Sequence, residues 1–128
     1  MRPDASLIAI ETNREFVRFL RSSIKDNRLH VVEASADSVV QVLRRHGHAT
    51  ASYIISGIPF STIPAVVREH ILHDTWTVLE VRGCFLVYQF SARILPDLQR
   101  IFRNVRREFE PLNLLPAHLF FCRSDTSA

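Results

Sequence analysis

The chain has 128 residues, of which 47% are hydrophobic and 23% are charged, so it is long enough for one domain with a buried core. No apolar run approaches the ~20 residues of a membrane-spanning helix, and the N-terminus lacks a signal-peptide pattern; we therefore expect a cytoplasmic protein. A net charge of +3 is too small to choose between an anionic membrane surface and nucleic acid as a partner.

Strand-like and helix-like patterns of apolar residues alternate along the chain. In chain order they predict strand 7–11, helix 13–24, strand 29–33, helix 39–46, strand 51–56, helix 64–79, strand 84–90, helix 94–103, and strands 105–112 and 117–123. This alternation predicts an α/β fold with a mostly parallel sheet, in one domain spanning residues 1–128. The last two strands, joined by a short loop with Asn113 and Pro116, predict an antiparallel hairpin at the sheet edge.

Several residues suggest where these elements begin and end. Thr12-Asn13-Arg14-Glu15 has the pattern of a capping box, which makes Thr12 the predicted cap of the first helix. Gly47 is predicted to end the second helix, and Gly83 to form the turn before the fourth strand. Cys84 and Cys122 lie in apolar runs, so we expect buried, reduced thiols; neither has metal-ligand spacing, and no metal site is predicted.

The first strand ends in an acidic residue, Glu11. In Rossmann-type folds a carboxylate at this position accepts hydrogen bonds from both hydroxyls of a ribose. The alternative is that Glu11 is simply a negative charge near the positive end of the following helix. Such folds normally have a strand and a glycine-rich turn about 20 residues earlier, and here only six residues precede Leu7.

Three segments, in this order, resemble class I S-adenosylmethionine-dependent methyltransferases: residues 7–11 (LIAIE), 31–37 (VVEASAD) and 54–60 (IISGIPF). Within that class the sequence is most similar to the bacterial phospholipid N-methyltransferases, relatives of the ribosomal RNA adenine dimethyltransferases. Residues 113–117 (NLLPA), before an apolar strand, are similar to that group as well. The resemblance implies a Rossmann-like methyltransferase sheet without its first strand and glycine loop.

The resemblance also implies roles for residues at the strand ends, with S-adenosylmethionine as the cofactor. Glu11 would bind the ribose, and Ser35, Ala36 and Asp37 would contact the adenine. Asp37 has an alternative role as the N-cap of the following helix. The molecule that accepts the methyl group would contact Ser56, Gly57, Ile58, Pro59 and Phe60. Their carbonyl oxygens could orient an amine, and the Phe60 ring could cover a developing ammonium.

The absent first strand has structural consequences as well. In the family it lies in the middle of the sheet, and its loop holds the methionine part of the cofactor, so this chain would leave two strand edges unpaired. We expect a homodimer or larger assembly that repairs the sheet, unless the flanking strands pair directly. Analytical ultracentrifugation separates the two possibilities, because a well-folded monomer would favour direct pairing. Whether Met1 is the true start is left open.

Three functions remain open at this stage. The first is methylation of a phospholipid amine, as in phosphatidylethanolamine, by a protein that could approach an anionic membrane surface. The second is an RNA adenine N-methyltransferase-like protein. It is less favoured, because residues 56–60 do not begin with an Asn whose side-chain amide could hold the base. The third is a catalytically inactive, oligomeric remnant of an enzyme.

Overall fold

The computed structural model describes residues 3–89, 92–110 and 117–123. Its strands and helices are β1 (Leu7–Glu11), α1 (Arg14–Ser23), β2 (Leu29–Glu33), α2 (Val39–Arg45), β3 (Ala51–Ser56), α3 (Ala65–Val78), β4 (Leu79–Gln89), α4 (Leu95–Ile101), β5 (Asn104–Glu110) and β6 (Ala117–Arg123). They fall into two compact units, Met1–Gly47 and His48–Ala128. A single domain over residues 1–128 stays a prediction, and each unit is described by itself. No helix in the described ranges is both long enough and apolar enough to cross a bilayer.

The first unit is a β-α-β arrangement followed by a short helix. Strands β1 and β2 pair in parallel, from Leu7 opposite Leu29 to Glu11 opposite Glu33. Helix α1 connects them and buries Val17, which is 1% exposed. Helix α2 ends at Arg45, and Gly47 follows with a φ of 79°, a left-handed conformation that glycine adopts without steric cost. The predicted end of this helix is therefore confirmed.

The predicted capping box at the start of α1 is wrong by one residue. Asn13, not Thr12, is the N-cap, and its side chain accepts a hydrogen bond from Phe16 N at 3.1 Å. The cause lies in the preceding strand, because Glu11 Oε1 accepts a hydrogen bond from Asn13 N at 2.9 Å. Strand β1 thus ends in a local side-chain turn, and the helix begins one residue later than the sequence pattern indicates.

The second unit contains a four-stranded mixed sheet in the order β3-β4-β6-β5. Strand β4 is parallel to β3, while β6 is antiparallel to both β4 and β5. Three of the four strands therefore run in one direction. The predicted α/β class and the C-terminal antiparallel hairpin are confirmed, although its loop, with Asn113 and Pro116, lies outside the described residues.

The two faces of this sheet differ in burial. Phe85 and Val87 of β4 and Phe120 of β6 are at most 1% exposed. They alternate with residues that are half-buried, namely Leu86, Tyr88, Leu119 and Phe121. The ring of Phe102, which follows α4, lies 5.6 Å from that of Phe85, so the end of α4 packs on this face. On the opposite face Tyr53 and Ile55 of β3 are 78% and 74% exposed. In the described residues β3 has a ladder with β4 alone; the predicted homodimer stays a prediction.

The predicted turn at Gly83 is wrong, because β4 continues through this residue from Leu79 to Gln89. The pairing of β3 with β4 changes register between Ala51 and Tyr53. At this irregularity the two backbones approach so closely that a Cβ on Gly83 would lie 2.7 Å from Ser52 O and 2.9 Å from Glu80 O. Glycine therefore marks a close approach of two strands here.

Both cysteines are buried and free, as predicted. Cys84 lies in β4 and Cys122 in β6. Burial, together with the nearby Cys84 thiol, raises the pKa of Cys122 to about 12. Because the thiolate is the reactive form, Cys122 is unsuited to nucleophilic chemistry at neutral pH.

Gly83→Ala should lower the free energy of unfolding by about 2 kcal/mol, because the added methyl group collides with backbone atoms that cannot move aside. Gly57→Ala is the matched control, since a Cβ there meets nothing within 4 Å. Urea denaturation followed by circular dichroism measures both variants. Equal stabilities for the two would contradict the close approach at Gly83.

Candidate functional site

In the first unit, the carboxyl ends of β1 and β2 place two carboxylates side by side. Glu11 and Glu33 lie directly opposite each other in the ladder, and Ala34 N donates to Glu11 O at 3.0 Å just beyond it. The Glu33 carboxylate is balanced by Arg14, whose Nε lies 3.1 Å from Glu33 Oε1. Pairing of the strands thus brings two acidic side chains to the edge at which open α/β sheets bind ligands.

The Glu11 carboxylate has one hydrogen bond to the backbone, from Asn13 N. A carboxylate offers about four acceptor positions, so one bond leaves capacity for the two hydroxyls of a ribose. Because Asn13 is the N-cap of α1, this bond is also compatible with the alternative that Glu11 is a negative charge near the positive end of that helix. The two roles are compatible, and ribose binding by Glu11 stays a prediction.

Ser35, Ala36 and Asp37 lie just beyond the carboxyl end of β2. A single 3₁₀ turn spans Ala36–Ser38; Ser35 is its N-cap, and Ser38 is the N-cap of α2. The alternative role of Asp37 as an N-cap is therefore wrong. Its side chain is exposed within the turn, and adenine recognition by these three residues stays a prediction.

Acceptor groups suited to a nucleoside are therefore present at the strand ends of this unit. The vicinal hydroxyls of a ribose and the amino group of adenine are hydrogen-bond donors, and carboxylates are acceptors. Glu11 is the last residue of β1, and Asp37 lies beyond the end of β2, so these acceptors come from neighbouring strands. The residues present fit the adenosine part of S-adenosylmethionine.

In the second unit, residues 56–60 form a tight turn at the carboxyl end of β3. Ser56 is buried, and its Oγ accepts from Ile58 N at 3.3 Å. Pro59, with φ of −76° and ψ of 80°, allows Phe60 N to donate to Ile58 O at 2.8 Å, which is an inverse γ-turn. The Phe60 ring is fully buried and anchors the turn. Its proposed contact with an ammonium stays a prediction, and in this structure the ring face is enclosed.

Sequence reasoning missed Gln89, the last residue of β4. It is 5% exposed, and its side chain reaches the turn: Phe60 N donates to Gln89 Oε1 at 3.3 Å, and Gln89 Nε2 donates to Ile58 O. Nε2 also donates to Tyr88 O at 2.8 Å. A signal was available, because a polar residue inside an apolar strand must find hydrogen-bond partners when it is buried.

Helix α3 holds the same turn from another direction. Arg68 Nη1 donates to Phe60 O at 3.5 Å, while Arg68 Nε lies 3.1 Å from Asp97 Oδ2 of α4. Asp97 in turn accepts from Arg100, which also pairs with Glu69. The described residues contain no group of three or more His, Cys, Asp or Glu side chains arranged to hold a metal ion.

The fold is α/β and Rossmann-like, and solved methyltransferase structures share it. Human Methyltransferase-like protein 13, solved in complex with SAH, superposes with a TM-score of 0.74 at 14% identity, over 98% of this chain and 64% of that one. Spermidine synthase from Thermotoga maritima superposes with a TM-score of 0.66 at 13% identity, over 95% of this chain and 45% of that one.

Sequence similarity narrows the comparison further than the fold does. An ornithine lipid N-methyltransferase from Singulisphaera acidiphila is 30% identical over 131 residues, covering 96% of this chain and 65% of the relative. The resemblance to class I methyltransferases, and among them to lipid N-methyltransferases, is confirmed. No protein-family model matches the sequence. This chain spans slightly less than two thirds of the relative's length.

Acidification should destabilise the protein through His118, which lies opposite Gln89 in the ladder of β4 and β6. Burial and then the charge of Arg107 lower its pKa below the ordinary value. The unfolded chain therefore binds a proton that the folded state resists, and stability falls as pH drops through the unfolded pKa of about 6.5. His118→Gln should flatten this decline between pH 7.5 and 5 in urea denaturation. The exposed His48→Gln is the control, and equal curves for both variants would refute the role of His118.

Proposed function

We propose that this protein transfers a methyl group from S-adenosylmethionine to the amine of a lipid headgroup. The observation that carries the proposal is the 30% identity to a lipid N-methyltransferase over 96% of this chain. The strand-end residues support it independently, because hydrogen-bond acceptors suited to a nucleoside lie at the carboxyl ends of β1 and β2. The fold alone does not indicate methyl transfer, since a spermidine synthase has the same fold.

The proposal assigns the cofactor to the first unit. Glu11 accepts from the ribose hydroxyls, and Ser35, Ala36 and Asp37 contact the adenine. The bound cofactor supplies a methyl group that its sulfonium already activates. The remaining work of the protein is to align a neutral amine with that methyl and to exclude water, so neither a nucleophilic side chain nor a metal ion is required.

The acceptor is assigned to the turn at residues 56–60 of the second unit. This turn offers backbone peptide groups rather than charged side chains, which suits a neutral primary amine. We favour an amine-bearing polar lipid, phosphatidylethanolamine or an ornithine lipid. The turn begins with Ser56, whose hydroxyl is already bonded to Ile58 N. An RNA adenine, which needs an amide-type side chain, is therefore less favoured.

Transfer of a labelled methyl group tests the proposal directly. Purified protein and labelled S-adenosylmethionine are incubated with vesicles of phosphatidylethanolamine, with vesicles containing ornithine lipid, or with RNA. We expect label in one of the two lipids and none in vesicles of phosphatidylglycerol, which has no amine. Label in RNA alone would replace lipid by nucleic acid as the substrate. If the protein neither transfers a methyl group nor binds the cofactor, the hypothesis of a catalytically inactive remnant is the one that remains.

Glu11→Gln should weaken S-adenosylmethionine binding about 10- to 100-fold, since hydrogen bonds to a charged group contribute about 1.5–3 kcal/mol. Glu15→Gln is the matched control. It removes the same charge from the exposed first turn of α1, four residues further along the chain. Isothermal titration calorimetry gives both dissociation constants. A similar affinity for the two variants would exclude Glu11 from the ribose site.

A further inference from the structure

The turn at residues 56–60, to which the methyl acceptor is assigned, is called the acceptor turn. Almost all of its backbone N–H and C=O groups form hydrogen bonds within the protein. Ile58 N donates to Ser56 Oγ. Ile58 O accepts from both Phe60 N and Gln89 Nε2. A carbonyl oxygen has two acceptor positions, so neither peptide group of Ile58 retains an open position.

The next two residues are occupied in the same way. Pro59 has no N–H, and its oxygen accepts from Thr62 N at 3.0 Å and Thr62 Oγ1 at 2.8 Å. Phe60 O accepts from Ile63 N at 3.2 Å and from Arg68. The turn from Ile58 to Phe60 therefore has a defined shape and little capacity to bind anything else.

Gly57 is the exception in this segment. It is exposed, and a Cβ built on it meets nothing within 4 Å. Its peptide groups form no hydrogen bond to the part of the chain that the structure describes. Gly57 thus offers both a free backbone donor and acceptor and the space for an approaching molecule.

The side chain of Gln89 explains why the peptide groups from Ile58 to Phe60 are hydrogen-bonded while those of Gly57 are not. Its amide uses the oxygen for Phe60 N and the nitrogen for Ile58 O, so one buried side chain holds the turn at two points. Among the side chains, only the amides of Gln and Asn carry an NH₂ donor beside a carbonyl acceptor, and Asn is one methylene shorter. Without the amide, Ile58 O would regain an open acceptor position, and the turn would lose its connection to β4.

We propose that Gln89 is a positioning residue for the acceptor: it fixes the turn from Ile58 to Phe60 so that the Gly57 peptide group is the one presented to the amine. This inference rests on the proposed methyl transfer. It goes further by naming the contact group for the acceptor and the side chain that acts through the turn.

Gln89→Met tests the inference, because methionine has nearly the same length but lacks the amide. Turnover of the lipid acceptor should fall about 10-fold or more, since misplacing a reacting group by about 1 Å can cost 100-fold. The dissociation constant of S-adenosylmethionine should stay within about twofold, because the cofactor is assigned to the other unit. The matched control is Thr75→Val, which removes a different buried side-chain-to-backbone hydrogen bond, from Thr75 Oγ1 to Ile71 O in α3, and should change thermal stability without changing turnover.

A second readout does not depend on activity. Hydrogen exchange of the Phe60 amide should accelerate about 10-fold in Gln89→Met and remain unchanged in Thr75→Val. Phe60 N donates to both Gln89 Oε1 and Ile58 O, and the substitution removes the first acceptor and releases the second from Gln89 Nε2. Unchanged exchange at Phe60 would overturn the inference, as would unchanged turnover in an active protein. If the native protein transfers no methyl group although exchange responds as expected, the proposed function fails while the role of Gln89 in the turn survives. Should Gln89→Met not fold, the shorter amide of Gln89→Asn provides the same two readouts.

Gly57→Ala tests the acceptor contact itself. Because the added methyl group meets no protein atom, the melting temperature should stay unchanged. The KM for the lipid should rise about 10-fold, since the methyl occupies the space of the amine. An unchanged KM would exclude the Gly57 peptide as the contact group.

Discussion

Parallel pairing of β3 with β4 is the constraint on which the second unit depends. It places Ser56 opposite Val87, so that Gln89, two residues further on the same face, reaches the turn that follows β3. The pairing also requires a crossover, which α3 supplies, and a close approach of the backbones, which Gly83 permits. The geometry of the acceptor turn is thus a consequence of strand register.

The two units present different chemistry at the carboxyl ends of their strands. The first unit offers carboxylates, with Glu33 balanced by Arg14 and Glu11 bonded to a backbone amide. The second offers a neutral, backbone-lined turn whose polar groups are mostly occupied. Charged acceptors suit the hydroxyls and amino group of a nucleoside, and an uncharged turn suits a neutral amine. This difference supports the assignment of cofactor and acceptor to separate units.

Much of this organisation is evident from the sequence because it is local. Glu11 ends an apolar run, Gly47 ends a helix, and the hairpin of β5 and β6 follows from two strand patterns around a short loop. The segments at residues 7–11, 31–37 and 54–60 indicate the methyltransferase fold by their order. The first three features depend on neighbours within a few residues, where periodicity and backbone preferences act directly, whereas the fold was indicated by the resemblance to a known family.

Other features were decided by tertiary structure. The Glu11 carboxylate accepts a hydrogen bond from Asn13 N, and Asn13 rather than Thr12 is the helix cap. The register of β3 and β4 changes near Gly83, which lies in the middle of a strand and not in the predicted turn. Gln89 contacts Phe60 across 29 residues of sequence. The sequence by itself determined the order and type of the strands and helices. Only the tertiary structure decided which strand ends meet and which peptide groups remain free, because register joins residues that no local pattern connects.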